Sequence, residues 1–126
     1  MIDVSKHIDY WQNTANNDIE TADILIASGK YIEGMFFCHL AIEKIVKALV
    51  VKETNDIPIR SHDLFRLIEI ANIQVNEEQS AHVQILMKYQ LEGRYPEFYP
   101  KAPSHDKIID YFAKTKDLLL CFRKML

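Results

Sequence analysis

The chain has 126 residues, 48% of them hydrophobic and 26% charged, with a formal net charge of −3. That length fits one domain with one core, and the slight acidity excludes a global field that steers towards polyanions, so any nucleic-acid contact has to come from a local basic site. No run approaches the ~18 apolar residues of a membrane span, and the N-terminal MIDVSKHIDYW has no apolar signal core, so a cytoplasmic protein is expected.

With only three glycines and four prolines, long uninterrupted elements are predicted, because these two residues are the usual terminators. The first helix runs from about Lys6 to Ala27: Ile8, Trp11, Ala15, Ile19, Ala22 and Ile26 recur at three- and four-residue steps. Ser28-Gly29 closes it, since glycine accepts the left-handed conformation at a helix C-terminus. The second runs from Tyr31 to Lys52 and is apolar on most sides, the pattern of a central helix. His39, Glu43 and Lys47 draw a single polar line through it, four residues apart.

A connector with Asn55, Asp56 and Pro58 leads to Ser61, which is expected to cap a third helix, with Asp63 in its first turn and Leu64, Leu67, Ile68 and Ala71 facing inward. Asn76 opens the fourth helix, with Gln79 placed for a capping box; Val83, Leu86, Met87 and Leu91 carry its stripe to Gly93. Residues 94–103, RYPEFYPKAP, have no helical period. Ser104 caps the last helix, whose face is Ile108, Phe112, Thr115, Leu119 and Phe122. The expected fold is all-α: an up-and-down bundle of about five helices in a single domain over 1–126, with short connections and antiparallel neighbours. Cys38 and Cys121, far apart and without a CxxC partner, are expected to be reduced thiols, a single disulfide between them being the alternative.

Four segments stand out in order. They are Trp11, Ala15, Asp18 and Ala22; Tyr31, Phe37 and the run His39 to Val50 with Glu43, Lys44 and Lys47; Ser61-His62-Asp63-Leu64; and Arg94-Tyr95-Pro96. Together they resemble the HEPN domain superfamily, in its Arg-Tyr-Pro form associated with minimal nucleotidyltransferases, over nearly the whole chain. The resemblance implies a homodimer and a separately encoded minimal nucleotidyltransferase as partner; the expected dimer forms through the first two helices and holds a nucleotide or RNA phosphate near Lys47 and Arg94. It also implies either a toxin-like role in a toxin–antitoxin pair or that of a substrate-binding subunit.

Many proteins of that superfamily are metal-independent ribonucleases that use an arginine followed after four to six residues by a histidine. The histidine exchanges a proton with an attacking or leaving oxygen and the arginine neutralises the phosphorane. None of Arg60, Arg66, Arg94 and Arg123 has a histidine in that window. Tyr99 stands where one would follow Arg94, and a phenol with a pKa of about 10 is a poor base at neutral pH. A binding subunit is therefore expected ahead of an enzyme. The alternative is a ribonuclease toxin with a degenerate site built from Arg94 with His105 or His62.

The candidate ligand-binding residues are Glu43, Lys44, Lys47, Arg94, Tyr95, Tyr99 and His39. A Glu–Lys pair four residues apart on a solvated face is worth only ~0.2–0.5 kcal/mol, but the apolar surroundings of Glu43 and Lys47 demand a partner or a site. His39 and Glu43 could make a two-ligand metal face, yet no spacing supplies a third ligand, so no metal and no cofactor is expected. His62 either closes the start of the third helix or contacts a phosphate or base beside Arg60. Arg94 offers a planar fork for phosphate, with Tyr95, Phe98 and Tyr99 as stacking faces. The alternative is a loop pinned over the bundle, with Arg94 paired to Glu43. Trp11, Phe36, Phe37 and Phe112 are expected in the core or a dimer contact, and Lys114, Lys116, Arg123 and Lys124 on a solvated face. The site requires Lys47 and Arg94 to lie on one side of the molecule.

Overall fold

A computed structural model of the chain describes residues 2–126. It has five α-helices, α1 (Val4–Ala27), α2 (Tyr31–Thr54), α3 (Leu64–Ile70), α4 (Glu77–Met87) and α5 (His105–Arg123), and a short 3₁₀ turn, Pro96–Phe98. Among the described residues there is no strand. α2 packs against each of the other four helices. Its sequence dictates that position, because Ile42, Ile45, Val46, Ala48, Val50 and Val51 are spread around the whole circumference of the helix and every one is buried.

α1 has only a narrow buried stripe, Ala15, Asp18 and Ala22, so it lies on the outside of α2. The two form a hairpin closed at Gly29, whose φ of +80° lets the Lys30 N–H reach back to the Leu25 carbonyl at 2.8 Å. Gly34 then passes close to α1: a Cβ there would sit 2.6 Å from Ile26 Cγ1. A glycine inside a helix costs about 1 kcal/mol relative to alanine, and here it allows close backbone approach.

Four of the five α-helices are capped at their starts by side chains, α2 being the exception. Asp3, Asn76 and Ser104 accept backbone N–H groups of α1, α4 and α5, and Asn76 with Gln79 completes the expected capping box. For α3 the cap is Asp63, not Ser61: its carboxylate accepts the N–H groups of Phe65 and Arg66 at 3.1 and 3.3 Å. Ser61 lies two residues too early and accepts the Asp63 N–H instead. A carboxylate also meets the positive end of the helix dipole better than a hydroxyl does.

α4 ends at Met87, well short of Gly93. Tyr89 and Leu91 are still buried, as their spacing demands, but from tight turns in which Lys88 and Tyr89 donate to carbonyls three residues back. The α4–α5 connection over residues 88–104 is therefore long where a short one was expected. The Tyr89 hydroxyl ties its two ends by donating to the Lys101 carbonyl at 3.4 Å.

Among the buried polar residues, Thr115 and His82 pair with each other between α4 and α5. His82 lies 2.9 Å from the Thr115 hydroxyl, which itself donates to the Tyr111 carbonyl and so accepts from the histidine. Cys38 is buried in the same core, and burial pushes its thiol up to about 12, so it stays protonated; both cysteines are free. Phe37 and Phe112 pack against the core as expected, whereas Trp11 and Phe36 stand outside the core cluster.

Substituting Gly34→Val forces Ile26 aside at the closest approach of α1 and α2. The expected cost is about 1–3 kcal/mol of stability, measured as a lower urea midpoint at unchanged m-value.

Candidate functional site

The polar line of α2 does not reach solvent. His39 is fully buried, Glu43 is 3% exposed and Lys47 is also buried. A carboxylate in such surroundings needs donors, and Glu43 has two. One oxygen accepts from the Lys47 ammonium at 3.1 Å, and the other lies 2.9 Å from Nδ1 of His62. His39 Nε2 lies 3.4 Å from the same oxygen without hydrogen-bond alignment, leaving both His39 ring nitrogens unpartnered. Burial, reinforced by the charge of His62, lowers the His39 pKa to about 4, so this ring is neutral at physiological pH.

His62 is delivered by the connector between α2 and α3. Asn55, with φ of +55°, turns the chain out of α2, and Asp63 anchors the other end as the α3 cap. The ring is 41% exposed on its side chain and presents Nε2 outward, where the Glu92 carboxylate lies 3.0 Å away. A continuous line of contacts thus runs from Glu92 through His62, Glu43 and Lys47 to the indole of Trp11, whose centroid lies 5.2 Å from the Lys47 nitrogen. Such a cation over an indole is favourable by ~0.5–2 kcal/mol, more as it is desolvated.

The remaining residues expected at the site lie elsewhere or face solvent. Lys44 is turned about 100° from Glu43 around the helix and meets the buried Asp18 of α1 at 2.6 Å, a close charge contact without hydrogen-bond alignment. It belongs to the α1–α2 seam and not to the polar line. Arg94 does not pair with Glu43, whose oxygens are already taken; it is exposed, and Nη1 donates to the Lys88 carbonyl at 3.3 Å. Tyr95 and Phe98 are exposed and Tyr99 half-buried, so the first two rings face solvent instead of filling gaps.

His105 shares a contact of 3.1 Å with the Tyr31 hydroxyl at the start of α2. Tyr31 and Glu43 are twelve positions apart on that helix, about 18 Å along its axis. Within one chain, His105 and His62 therefore do not converge. Arg94 follows Glu92 by two residues, so the bridge through His62 holds the chain just ahead of the Arg-Tyr-Pro segment against the residues around Glu43.

Glu92 is the residue that sequence reasoning missed, since an exposed acidic residue in a turn carries no periodicity or motif. The role of His62 as partner of Glu43 was foreshadowed only by the proximity of a histidine to a helix start.

In class, this is an all-helical, single-core bundle with an ion-paired site on its central helix. Over residues 8–124 the chain matches the family model for the HEPN domain, and it belongs to that family, a group of nucleotide- and RNA-related modules in general. No curated protein and no solved structure matches the chain significantly. No described helix is long and apolar enough to cross a membrane.

Removing the carboxylate by Glu43→Ala strands the buried Lys47 ammonium. The expected loss is about 3–5 kcal/mol, read from denaturant unfolding. Acid acts through two buried imidazoles: burial lowers both His39 and His82 from 6.5 to about 4, helped at His82 by Lys114 and opposed there by Asp110. Below pH 6.5 the unfolded chain takes up protons that the folded chain refuses, so stability falls as pH drops from 6.5 to 4. Urea midpoints measured across that range should decline, and less steeply in His82→Gln.

Proposed function

We propose that the chain binds the phosphate of a nucleotide or RNA on the face formed by His62 and Arg94, as a homodimer that works with a separately encoded minimal nucleotidyltransferase. The observation that carries this reading is the bridged state of His62. Its inner nitrogen is held by the buried Glu43, while its outer nitrogen already meets an anion, the carboxylate of Glu92, which is 61% exposed. A phosphate offers the same acceptor with more charge, and replacing Glu92 releases an exposed side chain to water at little cost.

Arg94 has guanidinium N–H groups to spare beyond the one given to the Lys88 carbonyl, enough for a bidentate contact. Tyr95 and Phe98 supply exposed faces for a base. Lys47, fixed on Glu43, contributes positive field from beneath rather than a direct contact. Phe36 and Leu40 are half-buried on α2, four residues apart and outside the core cluster, which supports a partner surface along that helix. The toxin-like or substrate-binding-subunit role rests on the family resemblance.

One observation favours a second reading. An imidazole oriented by a buried carboxylate through Nδ1, with Nε2 turned outward, is the arrangement of a general base. With Arg94 nearby it would make a degenerate ribonuclease, built from His62 and without His105.

Isothermal titration with nucleotides, in the presence and absence of a minimal nucleotidyltransferase, together with an RNA-cleavage assay, separates these readings. Arg94→Ala should weaken phosphate binding by roughly tenfold, the value of one charge-assisted hydrogen bond, and Glu92→Gln should tighten it. If neither variant changes affinity, the phosphate is not held on this face. RNA cleavage that disappears in His62→Gln would establish the ribonuclease; RNA left intact after prolonged incubation removes it.

A further inference from the structure

Lys6, His7, Tyr10, Trp11 and Ile57 line a groove of about 330 Å³ between the start of α1 and the connector after α2. Its walls are mainly apolar. Tyr10 and Ile57 are 60% and 59% exposed, a large area of hydrophobic surface left without a neighbour to cover it. Trp11 stands outside the core cluster, and its indole nitrogen is buried with no acceptor, although a structural tryptophan usually finds one. Tyr10 meets it edge-on at 5.0 Å between centroids, which holds the indole in a fixed plane. On its other contact the indole meets Lys47, the terminal member of the line that begins at Glu92.

We infer that this groove is a nucleobase subsite, in which a purine or pyrimidine ring packs against Trp11 between Tyr10 and Ile57, its sugar–phosphate directed towards Lys47 and His62. The subsite depends on phosphate binding at His62 and Arg94, and is where the base of that same ligand goes. Three features select this occupant. The ionisable residues of the lining are Lys6, His7 and Tyr10, with no carboxylate among them, which suits a ligand carrying negative charge. The indole is shared between groove and Lys47, so a ring seated on it places the attached phosphate beside the polar line. Five side chains enclose the area of one ring system and fall far short of the roughly 800 Å² per partner that a stable protein interface needs.

Trp11 is the chain's single tryptophan, so its fluorescence reports on this groove alone. Titrating the full-length protein with adenosine monophosphate or a short oligoadenylate should quench that emission saturably, whereas ribose 5-phosphate should bind without quenching. The two base-bearing ligands distinguish a free nucleotide from an RNA segment as the natural source. Tyr10→Ala and Ile57→Ser, both at exposed positions and so compatible with folding, should each weaken nucleotide affinity by roughly tenfold, the scale of one lost base–side-chain contact. They should leave ribose 5-phosphate binding unchanged.

Nucleotide binding by calorimetry with unchanged emission, and with both variants neutral, overturns the subsite while leaving the phosphate reading standing. The absence of binding by every ligand overturns both. If Ile57→Ser or Tyr10→Ala instead dissociates an oligomer, as followed by light scattering, a second copy covers the groove and the inference fails.

Discussion

A carboxylate with 3% exposure sits in the middle of the most apolar helix of this protein, and the surrounding architecture accommodates it. Left alone, Glu43 would either take up a proton or destabilise the bundle by several kcal/mol. Lys47 supplies one donor from the next turn of the same helix, but the second comes from outside it, and the ring of His62 can reach Glu43 only if the α2–α3 connector folds back over α2. The position of α3 and the placing of the α4–α5 connection near Glu92 are therefore tied to one buried charge. On the other flank of α2, Lys44 and Asp18 make a separate ion pair that joins α1. The central helix is held by charge on two sides as well as by its apolar surface.

This arrangement separates two electrostatic roles that the sequence shows as one. The chain is acidic overall, and its polar site is compact: the carboxylates of Glu43 and Glu92 face Lys47 and the imidazole of His62. A cluster of mixed sign has little long-range pull on a polyanion, but it can exchange one anionic partner for another at short range without a large change in field. Specificity in such a site comes from donor geometry. The nitrogen of His62 points outward along a line set by Glu43 and meets Glu92, two residues ahead of Arg94.

Much of the fold was legible from residue spacing. The all-round apolar pattern of Met35 to Val51 announced a central helix, and the local caps at Asn76 and Ser104 were readable because each depends on contacts within three residues. What failed was mostly non-local. The stripe through Leu91 correctly gave burial but not helix, because a buried residue in a turn has the same spacing as one on a helix face. Lys44 looked like part of the Glu43 line until the buried Asp18 across the seam claimed it. Arg94 was a plausible partner for Glu43 on charge alone, and sequence has no means of showing that His62 occupies that oxygen first. His105 and His62 were equally available on paper; a helix axis keeps them apart.

The two halves of the site belong to parts of the molecule with different local stability. Glu43 opens to solvent only when the whole bundle unfolds, because it sits in the helix that every other element packs on. Arg94 and Glu92 ride on the exposed residues 92–98 of the connection over 88–104, whose ends are tied by a long hydrogen bond between Tyr89 and Lys101 and which meets the bundle through Glu92 and His62. Sub-global opening of that segment withdraws the arginine without disturbing the carboxylate below. A ligand that touches both halves stitches the segment to the bundle and bears its ordering entropy in doing so, so amide exchange in residues 88–104 becomes a direct gauge of occupancy.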